Sequence, residues 1–236
     1  MTQDWNDPEV AKQWDENGQE SNPVRNTHLA ILTALLRDVT PHKATILDIG
    51  CGSGQVASRI LAAREDWAVV GIDNSSAMMA IASERLAAYR SRMTMITGDL
   101  NKLSEVPLPD GSYDAAVAVQ SLHHLLPDPM QAAYRWIYHS LNSGGWFFLV
   151  DRVQMADASL WPAYQSLWSE LDAVHHSTLL KHEGITPEEH EQTLVERGDM
   201  PVTVAKHIDW LTDIGFAADV LHAHAHRVLI GARKKQ

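Results

Sequence analysis

Cysteine is nearly absent. The single Cys51 in 236 residues cannot close an intramolecular disulfide, so no disulfide framework holds the fold and a reducing compartment fits. Long apolar runs are missing too, and nothing approaches the ~18 consecutive apolar residues of a membrane-spanning helix. The first twenty residues, MTQDWNDPEVAKQWDENGQE, lack the basic and apolar regions of a signal peptide. A soluble, cytoplasmic protein with no membrane partner is therefore expected. Basic residues are scarce: 19 Lys and Arg stand against 30 Asp and Glu, for a formal charge of −11. The one basic run is the tail Arg233-Lys234-Lys235. That balance disfavours nucleic acid as a partner, because such surfaces need clustered cations. No internal repeat, low-complexity segment, catalytic triad or obvious metal-ligand spacing is evident, and no metal is expected.

What is present reads as an α/β protein. The length suits one α/β domain with an insertion, or two very small domains, and it suffices for a core without staples. Five apolar runs read as buried strands: Thr45–Ile49, Trp67–Ile72, Met93–Ile96, Tyr113–Val119 and Trp146–Val150. Helical patterns separate them, which implies crossovers, a mainly parallel sheet and helices on both faces. Helices are expected at about Pro23–Val39, from Ser75 to about Arg90 and around Met130–Leu141, with a turn at Asn142–Gly145. After Asp151 the alternation stops, and residues 153–200 read as helical. Thr186, Pro187 and Glu189 mark a helix start there. A last helix, about Thr203–Ile214, precedes strands at Ala217–Leu221 and Arg227–Ala232, too close together for anything but an antiparallel hairpin. The expected divisions are a helical cap (1–43), a core (44–152), a helical insertion (153–200), and a last helix with hairpin that completes the core (201–236).

The strongest chemical signal is Ile46-Leu47-Asp48-Ile49-Gly50-Cys51-Gly52-Ser53-Gly54. Glycines between a first buried strand and a helix let the backbone approach a ligand closely. A dinucleotide site has G-x-G-x-x-G spacing, with a diphosphate at the helix start. Here the spacing is G-x-G-x-G, and Asp48 precedes it. That carboxylate would repel a diphosphate but can help hold an ammonium group, directly or through water. Asp73 ends the second strand, where a carboxylate can accept both hydroxyls of a ribose. Gly98-Asp99-Leu100 ends the third.

These motifs, with Leu108-Pro109-Asp110-Gly111-Ser112-Tyr113-Asp114, Gln120-Ser121-Leu122-His123-His124-Leu125 and Gly144-Gly145, resemble those of the class I S-adenosylmethionine-dependent methyltransferases. The resemblance spans about residues 44–152 and 203–234. It implies a Rossmann-like, mainly parallel seven-stranded sheet with a C-terminal antiparallel hairpin, and S-adenosylmethionine as cofactor. It further implies cofactor contacts from Trp14, Arg25, Asp48, Gly50, Gly52, Gly54, Asp73, Asn74, Met78, Asp99, Leu100 and Gln120. A sulfonium gains attraction from an aromatic face, which makes Trp14 a sensible neighbour. Arg25 can meet a carboxylate. Cys51 reads as packing within the loop.

The activated methyl implies in-line transfer to a small-molecule N, O or C nucleophile, with rate coming largely from alignment. A general base is required only for an acceptor protonated at working pH. His123 and His124 lie where such a base would stand, and either can equally cap a helix or pack on the cofactor. His124, Asp151, Arg152, Tyr164 and Trp168 are the expected acceptor contacts, although Tyr164 and Trp168 also fit a helix core. An ion pair between lid and core is an equal role for Asp151 and Arg152. His222, His224 and His226 alternate at strand period and can share a face, as rim residues or as a metal site. Alternatives left open are a carboxy-S-adenosylmethionine-synthase-like enzyme, with Arg25 as the cation for the extra carboxylate, and a tRNA-modifying methyltransferase. A non-catalytic binding module also stays open, and a homodimer is an expected assembly.

Overall fold

Apolar runs form the strands, and helical segments follow the first, second, fourth and fifth of them. The computed structural model describes residues 4–17, 22 and 24–236. The strands are β1 (Thr45–Ile49), β2 (Ala68–Asp73), β3 (Met93–Thr97), β4 (Tyr113–Val119), β5 (Leu141–Arg152), β6 (Phe216–His224) and β7 (Arg227–Lys234). They form one sheet in the order β3-β2-β1-β4-β5-β7-β6. β7 runs antiparallel to both of its neighbours, β5 and β6. Helices α1 (Pro8–Asn17), α2 (Arg25–Val39), α3 (Gln55–Ala63), α4 (Ser76–Arg85), α5 (Pro127–Ser140) and α9 (Val204–Ile214) surround the sheet, and α6 (Trp161–His175), α7 (Leu179–Glu183) and α8 (Pro187–Arg197) make up the insertion.

The apolar core has two layers, one on each sheet face. Leu47, Ile49, Ala116, Phe147 and Ile230 face Met130, Tyr134 and Ile137 of α5 and Leu211 of α9. Ile46, Val69, Val117 and Phe148 face Leu29, Leu32 and Leu36 of α2 and Val56, Ile60 and Leu61 of α3. Strand residues alternate between the layers, as the period of two requires. β1 pairs with β2 on one side and β4 on the other, so chain order reverses around it. In such sheets the ligand crevice opens beyond the carboxyl ends of the strands at that reversal.

Several sequence expectations shift locally. The expected start of α2 at Pro23 lies outside the described residues. α4 stops at Arg85, and a separate 3-10 turn covers Ala87–Tyr89. Asn142–Gly145 is a bulge inside β5 rather than a turn before it: Leu141 already pairs with Tyr113, and register resumes at Ala115 and Trp146. The α8 start is as expected, with the Glu189 N–H donating to Thr186 Oγ1 at 3.2 Å. Among the described residues, no helix is long and apolar enough to cross a membrane.

Candidate active site

The ends of β1, β2 and β4, the loop after β3, α1 and the insertion enclose a cavity of about 670 Å3, which opens at the sheet's order reversal. That volume falls in the ~300–1,000 Å3 range of small-molecule sites. Its floor is the glycine loop. Gly50 has a positive φ of 72°, and a Cβ there would sit 2.3 Å from Ser121 Cβ. Gly52 also has a positive φ, 51°, yet a Cβ there would meet nothing within 4 Å. The first glycine is thus required by the protein's own packing. The second exposes backbone beside open space, as a ligand cradle needs.

Asp73 supports this loop from the end of β2. Its Oδ2 accepts the Gly52 N–H at 2.8 Å, and its Oδ1 accepts the Ser75 N–H at 2.9 Å. Each oxygen keeps a second lone pair for a ligand hydroxyl. Asp99 accepts from the Asn101 backbone and side-chain nitrogens, both at 2.9 Å, which fixes the turn after β3. Gln120 follows β4 in the left-handed region at φ 53°. A non-glycine residue held there costs about 1–3 kcal/mol, and such strain clusters at functional sites. Arg25, buried, donates to Gln120 Oε1 and to Gln55 Oε1, and its guanidinium lies 5.1 Å from the Trp14 ring centre. Burial, with Arg59 nearby, lowers its pKa to about 10.

The helical cap closes one side of the cavity. Trp5 and Trp14 meet edge to face at 6.1 Å, and Trp5 also packs on His124 at 5.8 Å. The opposite wall is polar. Asp151, at the end of β5, accepts from His123 Nδ1 and, at 3.1 Å, from the His123 backbone N–H. Asp199, in the loop between α8 and α9, stands 3.4 Å from His123 Nε2 and 3.3 Å from His124 Nδ1 through its Oδ1. Arg152 Nη1 donates to Asp199 Oδ2 at 2.9 Å, and its Nη2 reaches Glu183 of α7 at 2.5 Å.

These contacts separate the two histidines. Burial alone would lower the His123 pKa, but the Asp151 and Asp199 carboxylates outweigh it and raise the value to about 9. Burial and the charge of His123 lower His124 to about 4. Glu183 is fully buried; the penalty of burial is outweighed by His226 and Arg152, which hold its pKa well below the ordinary range. Glu183 ties the insertion to the core through Arg152, His226 and Arg227.

Most predicted site residues do line this cavity: Trp14, Arg25, Gly50, Gly52, Asp73, Asn74, Met78, Asp99, Leu100, Gln120, His123, His124 and Arg152. Five do not. Asp48 is fully buried beneath the loop, without a well-formed hydrogen bond to either oxygen, so it does not face the ligand space. Burial and the charge of Asp73 raise its pKa to about 7. Gly54 backs the loop instead, where a Cβ would meet Leu86 at 2.8 Å. Asp151 stands behind His123. Tyr164 and Trp168 pack with Trp161 and Leu179 in a separate core of the insertion, and Trp168 Nε1 donates to His226 Nδ1 at 3.1 Å. They form the interior of the inserted helical segment, because an amphipathic helix buries its aromatic stripe wherever it finds a partner. The three C-terminal histidines also part: His222 bonds His28 at 2.9 Å, His224 packs on His175, and His226 joins Trp168. Asp199, Arg197, Met200, Arg227 and Trp5 line the cavity without having been expected at the site from the sequence. Only Arg227 carried a usable signal, a charged residue opening an apolar strand that faces β5.

A glycine-floored crevice at the order reversal of a mainly parallel sheet is a place where nucleotide-like ligands bind. Residues 46–145, less than half of the chain, match a protein family described as "Methyltransferase domain". Among curated relatives, the carboxy-S-adenosyl-L-methionine synthase of Campylobacter lari is 27% identical over 154 residues, which cover 65% of this chain and 64% of that protein. The chain thus matches less than two thirds of that relative's length. Among solved structures, an O-methyltransferase family protein from Burkholderia thailandensis is similar at a TM-score of 0.69 and 12% identity, covering 98% of this chain and 61% of the other. Human N-acetylserotonin methyltransferase in complex with S-adenosylmethionine gives 0.65 and 18%, covering 98% and 58%. At these identities the structures establish the shared fold.

Proposed function

We propose that the cavity binds S-adenosylmethionine and that the protein transfers its methyl group to a small molecule. The observation that carries this reading is the open space above Gly52, with Asp73 bracing the same loop and Trp14 and Arg25 opposite. That arrangement fits a nucleoside that also bears an amino acid. Asp73 receives the ribose hydroxyls, and Asp99 with Leu100 meets the base. Arg25 meets the amino-acid carboxylate, offering a guanidinium otherwise bonded only to neutral amide oxygens. Met78 and Asn74 supply the flanking wall.

When bound, the cofactor supplies a methyl group already activated on a sulfonium. The chain's task is then to orient an acceptor and exclude water. The two tryptophans of the cap close over the floor, and the Arg152–Asp199–Glu183 contacts hold the insertion down. His124 lines the acceptor end, and beside it His123 is held through Nδ1 by Asp151. His124→Ala should therefore lower kcat by ten-fold or more while leaving cofactor affinity within about two-fold. A direct test offers the protein labelled S-adenosylmethionine and a panel of small acids, phenols and amines, with tRNA as a comparison. Methylated small molecules support the reading; label in tRNA alone would replace it.

The similarity to carboxy-S-adenosyl-L-methionine synthases favours a second reading, in which the chain modifies the cofactor itself. Mass spectrometry of the cofactor pool bound to the purified protein separates the two.

A further inference from the structure

His123, His124 and Asp199 bring one ligand atom each to within 4.8 Å of one another on the cavity wall. His123 Nδ1 donates to Asp151, and its Nε2 stands 3.4 Å from Asp199 Oδ1. His124 Nδ1 stands 3.3 Å from the same oxygen and 3.3 Å from the Gly198 carbonyl. Ring nitrogens do not stand this near a carboxylate oxygen without a positive centre between them. That centre is either a proton on each ring or a metal ion.

The spacing favours the metal. Charge-assisted N–H···O bonds are about 2.7–2.9 Å long, and both contacts are well beyond that. Two ligands bound at ~2.1 Å in a tetrahedral sphere stand ~3.4 Å apart. The surroundings have the form of a metal site as well. A carboxylate on the far nitrogen of a ligating histidine fixes its tautomer, as Asp151 does for His123. Arg152 holds the second oxygen of Asp199 at 2.9 Å, which orients the first. Two imidazoles and one carboxylate with open positions suit a divalent first-row metal of the iron, cobalt or zinc type better than magnesium or calcium.

We propose that His123, His124 and Asp199 form a divalent transition-metal site whose remaining positions face the cavity. If the methyl-transfer reading holds, that metal would grip oxygen atoms of the acceptor, which points to chelating acceptors such as hydroxy or keto acids and vicinal diols.

The test titrates the chelator-treated protein with cobalt(II) and follows visible d–d absorption, with no cofactor present. A saturable 1:1 band is expected in the wild type. It should vanish in Asp199→Asn and His124→Ala and shift to ten-fold or more weaker binding in Asp151→Asn. His222→Ala, on the sheet edge, should leave it unchanged, and circular dichroism confirms that each variant is folded. No band in the wild type, or an equal band in Asp199→Asn, overturns the site. S-adenosylhomocysteine binding is measured on the same samples. Cofactor binding without cobalt would refute the metal site alone, and cobalt without cofactor would refute the methyl-transfer reading alone.

Discussion

The Asp15 carboxylate of α1 and the Arg85 guanidinium of α4 form a two-point pair, Nη2–Oδ2 at 2.7 Å and Nη1–Oδ1 at 3.0 Å. The same carboxylate accepts from Ser53 Oγ at 2.5 Å and Gln55 Nε2 at 2.7 Å, so it joins the helical cap to the glycine loop. Asp15 itself does not line the cavity, but its neighbour Trp14 does. Asp15→Ala should therefore loosen the cover without removing a ligand contact. Cofactor affinity should fall by about ten-fold, since a part-buried two-point pair contributes on the order of 1–2 kcal/mol. Calorimetry with S-adenosylhomocysteine checks this; unchanged affinity would show that the cap does not depend on the pair.

Asp48 gives a pH signature to folding. Its pKa rises from 3.8 when unconstrained to about 7 in the fold, through burial first and the Asp73 charge second. A raised acid pKa means that the native state holds the proton longer than the unfolded chain. Its contribution to stability is full below about pH 4 and is lost as pH rises through about 7. Asp48→Asn escapes that loss, so the melting temperature of the variant minus that of the wild type should be larger at about pH 8 than at about pH 4.5. A difference that does not vary with pH would show that Asp48 is solvated or paired.

The strands were legible because each carries an apolar run whose period matches a pleated, two-faced sheet. The motif residues at strand ends were legible because the chain order of β1, β2 and β4 places them at one crevice whatever the side chains do. The lid was not legible in the same way. Trp161, Tyr164 and Trp168 share a helical face, but a helix pattern does not say which neighbour covers that face. Here Leu179 and His226 do, and the cavity takes Arg197 from the end of α8 and Asp199 and Met200 from the loop after it. Asp48 misled for a related reason. An acidic residue beside glycines reads as a ligand, while the alternation of β1 turns it beneath the loop.

That placement makes Trp168 a stability residue. It is fully buried, packs edge to face on Trp161 at 5.3 Å and donates to His226. Trp168→Ala should cost about 3–5 kcal/mol, as large buried aromatics do. The loss should be concentrated in residues 153–200, read as faster hydrogen exchange and proteolysis there, while cofactor affinity changes little. Intact protection of the insertion with an altered acceptor preference would return Trp168 to the substrate site.

The most direct test of the account is calorimetric titration of wild type and Asp73→Ala with S-adenosylhomocysteine, with NAD as the comparison. The account predicts 1:1 binding of S-adenosylhomocysteine to the wild type and no measurable binding of NAD. Asp73→Ala should bind about ten- to a hundred-fold more weakly, the worth of hydrogen bonds to a charged carboxylate. Binding of NAD without S-adenosylhomocysteine would contradict it.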